Sequence, residues 1–541
     1  MEISLLLMIE NYLLFSVRPT PQGGGKYSCI LLFSISHCCS ESIYLPCIVS
    51  SVLGIKKTAV FTFKKLEPLT VLQVLIKMSL ISKAYIAKVT TILTHAAADG
   101  DKRMNGLSFL MDVSGWSKRG RLTSMSFSFL VLLWLHLDFT AGPQIYHSAL
   151  CVLVQFLMLR LMGRTVTTVL SSFTFQMVYL LAGYYYTATE EYDIKWTMPQ
   201  CVLTLKLVGL SYDYYDGGKE PSQLTSEQKL SALPSVPSLL EVCGFSYFYG
   251  GFLVGPQFTL RSYQKLVAGE LSDCPGKPPN SVLPATKRFA LGFLCLVIYA
   301  IFSPYYPDSY FLTDEYDAQP FWYRCVFLLL WAKIILYKYV SCWVIAEGVC
   351  ILSGLGYNGV VDGEHKWDAC ANMKVWVFET TPLFGGTISS FNINTNAWAA
   401  RHVFKRLKFL GNKSLSHVAT LLFLTFWHGL HSGYLLCFSM EFFIITVERQ
   451  ALALVRDSPL LSKLANSALY PLIYVVQQFL HWLFMGYPLV PFCLFTYDKW
   501  LKVYSSIYFC GHVFFLLAFL ILPYIRKALV PKKERSPTKQ D

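Results

Sequence analysis

Five stretches of this chain are free of Asp, Glu, Lys and Arg for about the length that crosses a bilayer, and that constrains the fold more than any other feature. A transmembrane helix needs roughly 20 mostly apolar residues. Phe139 to Leu159, Thr165 to Thr189, Phe289 to Pro307, Ser414 to Met440 and Val503 to Ile525 come close to that length or exceed it. Leu464 to Tyr497 is too long for one span and holds Pro471, Pro488 and Pro491, which predicts a helix followed by a broken or re-entrant piece. Phe321 to Leu352 is apolar with isolated charges such as Lys333, Lys338 and Glu347. Charges at membrane depth face a protein interior or a water-filled cavity. The expectation is an all-α, polytopic transmembrane protein of about nine to eleven spans, roughly nine of them after residue 125.

Composition agrees. Only 15% of the residues are charged and 54% are hydrophobic, where soluble domains carry roughly 25% charged residues. The formal net charge of +13 could point to nucleic acid. Its basic residues, however, sit in short clusters beside apolar runs, such as Lys405, Arg406 and Lys408, or Lys532, Lys533 and Arg535. That is the pattern of membrane topology, so no nucleic-acid partner is expected. The sixteen cysteines are scattered, mostly inside apolar stretches, and suggest neither a disulfide framework nor a metal site.

The organisation expected is a divergent, poorly ordered segment over 1–125, a multi-span core over 126–526 and a charged tail over 527–541. Residues 1–125 lack sustained apolar runs and carry a hydrophilic, basic stretch from Asp99 to Arg121. Ser272 to Thr286 carries four prolines and reads as an extended linker.

Chemistry concentrates in two places. Thr425-Phe-Trp-His-Gly-Leu-His-Ser-Gly-Tyr434 puts His428 in the middle of an apolar run, where an apolar surrounding favours neutral imidazole, a competent base. Read as one continuous helix, the run places His428 and His431 on one face, with Gly429 and Gly433 thinning the helix for close approach. A histidine satisfied by a helix–helix hydrogen bond fits the same residues; a metal site would need further ligands at depth. Upstream, Asn392, Asn394 and Asn396 alternate before Trp398 and a basic run of His402, Lys405, Arg406 and Lys408. The amides could cap a helix or donate to a substrate. The basic run could meet phosphate or mark a cytosolic flank.

Taken together, these residues resemble the membrane-bound O-acyltransferases, in which a histidine in a Trp-His-Gly context and an asparagine after an aromatic residue, a few dozen positions earlier, form the catalytic pair. Here the matching positions are Trp427-His428-Gly429 and Phe391-Asn392, 36 residues apart. Trp367-Asp368 and Gly255-Pro-Gln-Phe258 followed by Tyr263 resemble two further landmarks, and the likeness runs from about Gln144 to Lys533. The resemblance implies a catalytic pair of His428 and Asn392, with Trp427, Trp398, His431, Asp368, Lys405 and Arg406 as candidate substrate contacts. It implies transfer of a fatty acyl group, polyunsaturated chains favoured, from acyl-CoA to the sn-2 hydroxyl of a lysophospholipid. Lysophosphatidylcholine is the first acceptor to expect, then the ethanolamine and serine analogues. The partners are then acyl-CoA, lysophospholipid and the bilayer of the endoplasmic reticulum. Acyl-CoA is a co-substrate, and no metal or other cofactor is expected. A catalytically inactive lipid-binding relative or a transporter would carry the same intramembrane polar residues.

Overall fold

The computed structural model describes residues 145–189, 195–275, 277 and 279–531. The segment 1–125, the opening of the first apolar run and the tail from 532 onward lie outside the described residues.

The described chain is helical apart from a two-residue antiparallel hairpin pairing Val360–Val361 with Glu364–His365. Its principal helices are α1 (Ile145–Met162), α2 (Val166–Thr187), α3 (Thr197–Asp216), α4 (Val282–Phe302), α5 (Phe321–Leu352), α6 (Phe384–Ser390), α7 (Ile393–Ala399), α8 (Lys413–His428), α9 (Ser432–Asp457), α10 (Tyr470–Leu494) and α11 (Cys510–Leu529). α4 packs along α5, α2 along α3, and α9 against both α10 and α11.

Burial separates lipid-facing helices from the interior. In the most apolar window of α11 only 6% of residues are buried, against 61% in α5, so among the described residues α11 lies at the outer surface and α5 forms the centre. The isolated charges of α5 find protein partners, as their depth requires. Glu347 pairs with Arg288 of α4, and Lys333 with Glu379.

α3 was not legible as a deep helix, because Lys206, Asp213 and Asp216 break its apolar run. It is buried almost throughout, which is possible because protein, not lipid, surrounds it. Lys206 donates to the Phe245 carbonyl (3.2 Å) and lies 4.4 Å over the Phe258 ring.

By length and apolarity, the described residues hold five helices able to cross a membrane, or six if the pair Pro459–Ala465 and Tyr470–Leu494, bent by 93°, counts as one span. Long helices such as α3 and α9 carry charges and fall outside that count, and residues 1–144 lie outside the described ones. Two expectations are corrected. Ser414 to Met440 is not one helix. It breaks after His428: Gly429 takes a φ of 152°, and a new helix starts at Ser432. His431 caps that second helix and shares no helix face with His428. Finally, α10 is not broken at its prolines but runs through Pro488 and Pro491 to Leu494. Pro491 leaves the Tyr487 carbonyl without its helical donor, and the Tyr504 hydroxyl donates to that carbonyl instead, at 2.9 Å. Close packing explains Gly433: a Cβ there would sit 1.9 Å from the Pro491 carbonyl oxygen.

Candidate active site

A cavity of about 610 Å³ opens between α2, α3, α5, α6, α8, α9 and α10, and both His428 and Asn392 line it. Trp427 and His431 line it as well.

His428 ends α8. Its Nδ1 lies 2.7 Å from the Leu424 carbonyl oxygen. A carbonyl only accepts, so Nδ1 carries the proton, and the neutral ring keeps its lone pair on Nε2. Among the described residues Nε2 has no hydrogen-bond partner. Around the ring stand Phe438 (centroids 5.1 Å), Phe492 (5.3 Å) and Tyr434 (5.8 Å), which fix its plane. Trp427 holds the helix end in place: its Nε1 donates to the Cys201 carbonyl (2.8 Å), and its own carbonyl accepts from the Tyr184 hydroxyl (2.8 Å). α8 is thereby tied to α3 and α2 immediately before the histidine.

Asn392 is placed by backbone and by relay. It sits at φ 49°, ψ 46° between α6 and α7, a left-handed conformation that asparagine tolerates better than most residues. Its Oδ1 accepts from Asn372 Nδ2 at 3.4 Å. Asn372 cannot present its amide the other way, because its Oδ1 accepts from the Asn394 backbone N–H (2.9 Å). Asn392 therefore keeps its Nδ2 donor for the cavity. The backbone N–H groups of Asn372 and Met373 both donate to Glu347 Oε1, each at 2.8 Å, and Arg288 Nε donates to Glu347 Oε2 at 2.7 Å. A buried chain from Arg288 through Glu347 and Asn372 thus orients one amide on the cavity wall.

The other two asparagines of the alternating trio do structural work. Asn394 Nδ2 donates to the Ala371 carbonyl (2.9 Å), and Asn396 Nδ2 to the carbonyls of Ile388 and Phe391, both at 3.0 Å. A further tie joins the two halves of the site: Glu448 of α9 accepts from the N–H groups of Phe384 (2.6 Å) and Gly385 (2.8 Å) at the start of α6.

Trp398, Asp368, Lys405 and Arg406 do not line the cavity. Trp398 packs on Phe423 with ring centroids 5.6 Å apart. Asp368 is exposed and accepts from Asn358 Nδ2 at 2.9 Å. Lys405 pairs with Glu227 (2.7 Å) and Arg406 with Asp216, so both cations already hold carboxylate partners. The sequence reading missed Asn372 and Glu441. Asn372 sits in a loop with no pattern to mark it. Glu441 ends the charge-free run from Ser414 to Met440, yet it lies inside α9 and lines the cavity.

A prediction follows from the relay. Asn372→Asp keeps the acceptor for Asn394 but sets an oxygen against Asn392 Oδ1, forcing the Asn392 amide to turn its carbonyl to the cavity. We expect kcat to fall about tenfold, with KM little changed. In an Asn392→Ala background the same change should cost almost nothing more. Additive losses in that double-mutant cycle would mean that Asn372 acts independently of Asn392.

A helical membrane frame, and a histidine with a free Nε2 and an oriented amide lining one cavity, define a class. Residues 181–490 match the membrane-bound O-acyltransferase family, and the chain belongs to that family. It is 66% identical over 399 residues to lysophospholipid acyltransferase 5 of Mus musculus, covering 73% of this chain and 82% of that protein. The corresponding protein of Homo sapiens is 65% identical over 399 residues with the same coverage, and that of Drosophila melanogaster is 40% identical over 385 residues, 70% of this chain and 77% of the relative.

Proposed function

We propose that the protein transfers a fatty acyl group from acyl-CoA to the free sn-2 hydroxyl of a lysophospholipid, as a multi-pass protein of the endoplasmic reticulum membrane. Lysophosphatidylcholine is the first acceptor, the ethanolamine and serine analogues the next, and polyunsaturated chains the favoured donors. The single observation that carries the reading is the cavity in which His428 Nε2 is left unpartnered while Asn392 presents an amide donor. The relatives named for lysophospholipid acyl transfer support it.

The chemistry follows from those two side chains. The acceptor hydroxyl hydrogen-bonds to Nε2, which takes its proton as the oxygen attacks the thioester carbonyl. Negative charge develops on the carbonyl oxygen, and Asn392 Nδ2 is the donor that meets it. When the C–S bond breaks, the imidazolium returns the proton to the CoA thiolate. The thioester supplies its own leaving group, so acyl-CoA serves as co-substrate and the step needs no cofactor. The aromatic and aliphatic lining suits acyl chains and excludes the water that would divert the reaction to hydrolysis.

An acceptor panel on purified protein tests the assignment. With one labelled acyl-CoA, lysophosphatidylcholine should be acylated faster than cholesterol, diacylglycerol or a peptide. Preference for any of the latter three would sink it, and uptake of lysolipid without release of CoA would favour a transporter.

A further inference from the structure

α9 turns one face to the cavity, carrying Tyr434, Phe438, Glu441 and Ile445 at helical spacing. Glu441 is the one carboxylate on the cavity wall among the described residues. It has neither a salt bridge nor a hydrogen bond there. Lys195, a cation that also lines the cavity, is engaged with the Thr187 carbonyl and with Thr189 Oγ1 (2.9 Å). The position of Glu441 is central. Phe438, which packs on His428, precedes it by about 4.5 Å along the helix, and Glu448, which caps α6, follows two turns later. The carboxylate thus stands between the two elements that bring His428 and Asn392 to the cavity.

An ionised carboxylate in a largely apolar chamber is costly unless something cationic meets it; otherwise it stays protonated. Among the described residues no cationic side chain meets Glu441, and a cationic ligand would. Building on the reading of the site as a lysophospholipid acyltransferase, we propose that Glu441 is the headgroup subsite: it receives the quaternary ammonium of the phosphocholine headgroup while the sn-2 hydroxyl of the same molecule reaches His428. The two groups are joined by one short phosphodiester arm, and Glu441 follows Phe438, which packs on His428, by three residues of α9 while lining the same cavity. Aromatic side chains on the same cavity, Phe438, Tyr339 and Trp343, suit a diffuse cation that has no N–H to donate.

The test compares two lysolipids that differ in one atom: lysophosphatidylcholine, and its neohexyl analogue with carbon in place of the choline nitrogen. Purified wild-type protein should prefer the choline lipid by about tenfold or more in kcat/KM. Glu441→Gln, nearly isosteric, should bring that ratio close to one, chiefly by lowering kcat/KM for the choline lipid. Equal use of both lipids by the wild-type protein overturns the proposal without need of any variant. So does a preference that Glu441→Gln leaves intact, which would assign recognition to the aromatic walls. If Glu441→Gln does not yield monodisperse protein, Glu441→Ala is read in the same way. Wild-type protein that acylates neither lipid would contradict the acyltransferase reading itself, a result distinct from activity without headgroup preference.

Discussion

Replacing His428 by alanine is expected to lower kcat by about 10²–10⁴-fold, the range that a lost general base typically costs, while expression and detergent monodispersity hold. The geometry makes the expectation specific. His428 lies at the C-terminal end of α8, and the helix is anchored one residue earlier through Trp427. Removing the imidazole therefore leaves the anchoring bonds in place. His428→Asn would put an amide where the ring was and could satisfy the Leu424 carbonyl, yet has no basic nitrogen to take a proton, so it should be as inactive as the alanine variant. His431 is the comparison. It also lines the cavity, but it belongs to the cap of α9, and its replacement by alanine should cost less. Near-normal turnover of folded His428→Ala protein, or greater loss at His431, would overturn the assignment of the base. Asn392→Ala should fall between the two, since one oriented donor is at stake.

The second large effect concerns stability as well as activity. Glu347 is nearly fully buried, and it accepts from Arg288 and from the backbone of Asn372 and Met373. Glu347→Ala would strand the Arg288 guanidinium and two backbone N–H groups at once. Removing one member of a buried ion pair typically costs about 3–5 kcal/mol. The Arg288 side chain retains 24% exposure, which places the expected loss toward the lower end. A lowered unfolding midpoint in detergent should accompany it. Activity at a temperature where the variant remains folded should fall further than its folded fraction, because the same carboxylate seats the loop that orients Asn392. An unfolding midpoint equal to that of the wild type would show that the pair contributes nothing net. Activity that tracked the folded fraction alone would detach it from the site.

The sequence carried the class of fold, because charge-free runs of the right length admit few solutions other than membrane-crossing helices. His428 and Asn392 were legible as candidates from local context, and they line the same cavity. What could not be read were features set by tertiary contact. The break after His428 depends on Gly429 taking a backbone conformation that no pattern in the run announces. The passage of α10 through two prolines depends on a tyrosine hydroxyl from elsewhere in the chain. α3 hid because interior helices can carry charges that lipid-facing ones cannot. Lys405 and Arg406 looked available for phosphate until Glu227 and Asp216, distant in sequence, proved to be their partners. Asn372 had no signal of its own, and its place in the site follows only from where α5 puts Glu347.

The most direct test of the central claim follows the acyl group and the thiol together. Purified protein is mixed with lysophosphatidylcholine and acyl-CoA labelled in the acyl chain, and free CoA thiol and labelled lipid are measured in the same samples. We predict equal amounts of CoA and labelled phosphatidylcholine at every time point, with the label released by an sn-2-specific lipase and no thiol formed when lysolipid is omitted. Label appearing as free fatty acid, or thiol release that does not depend on lysolipid, would contradict the account.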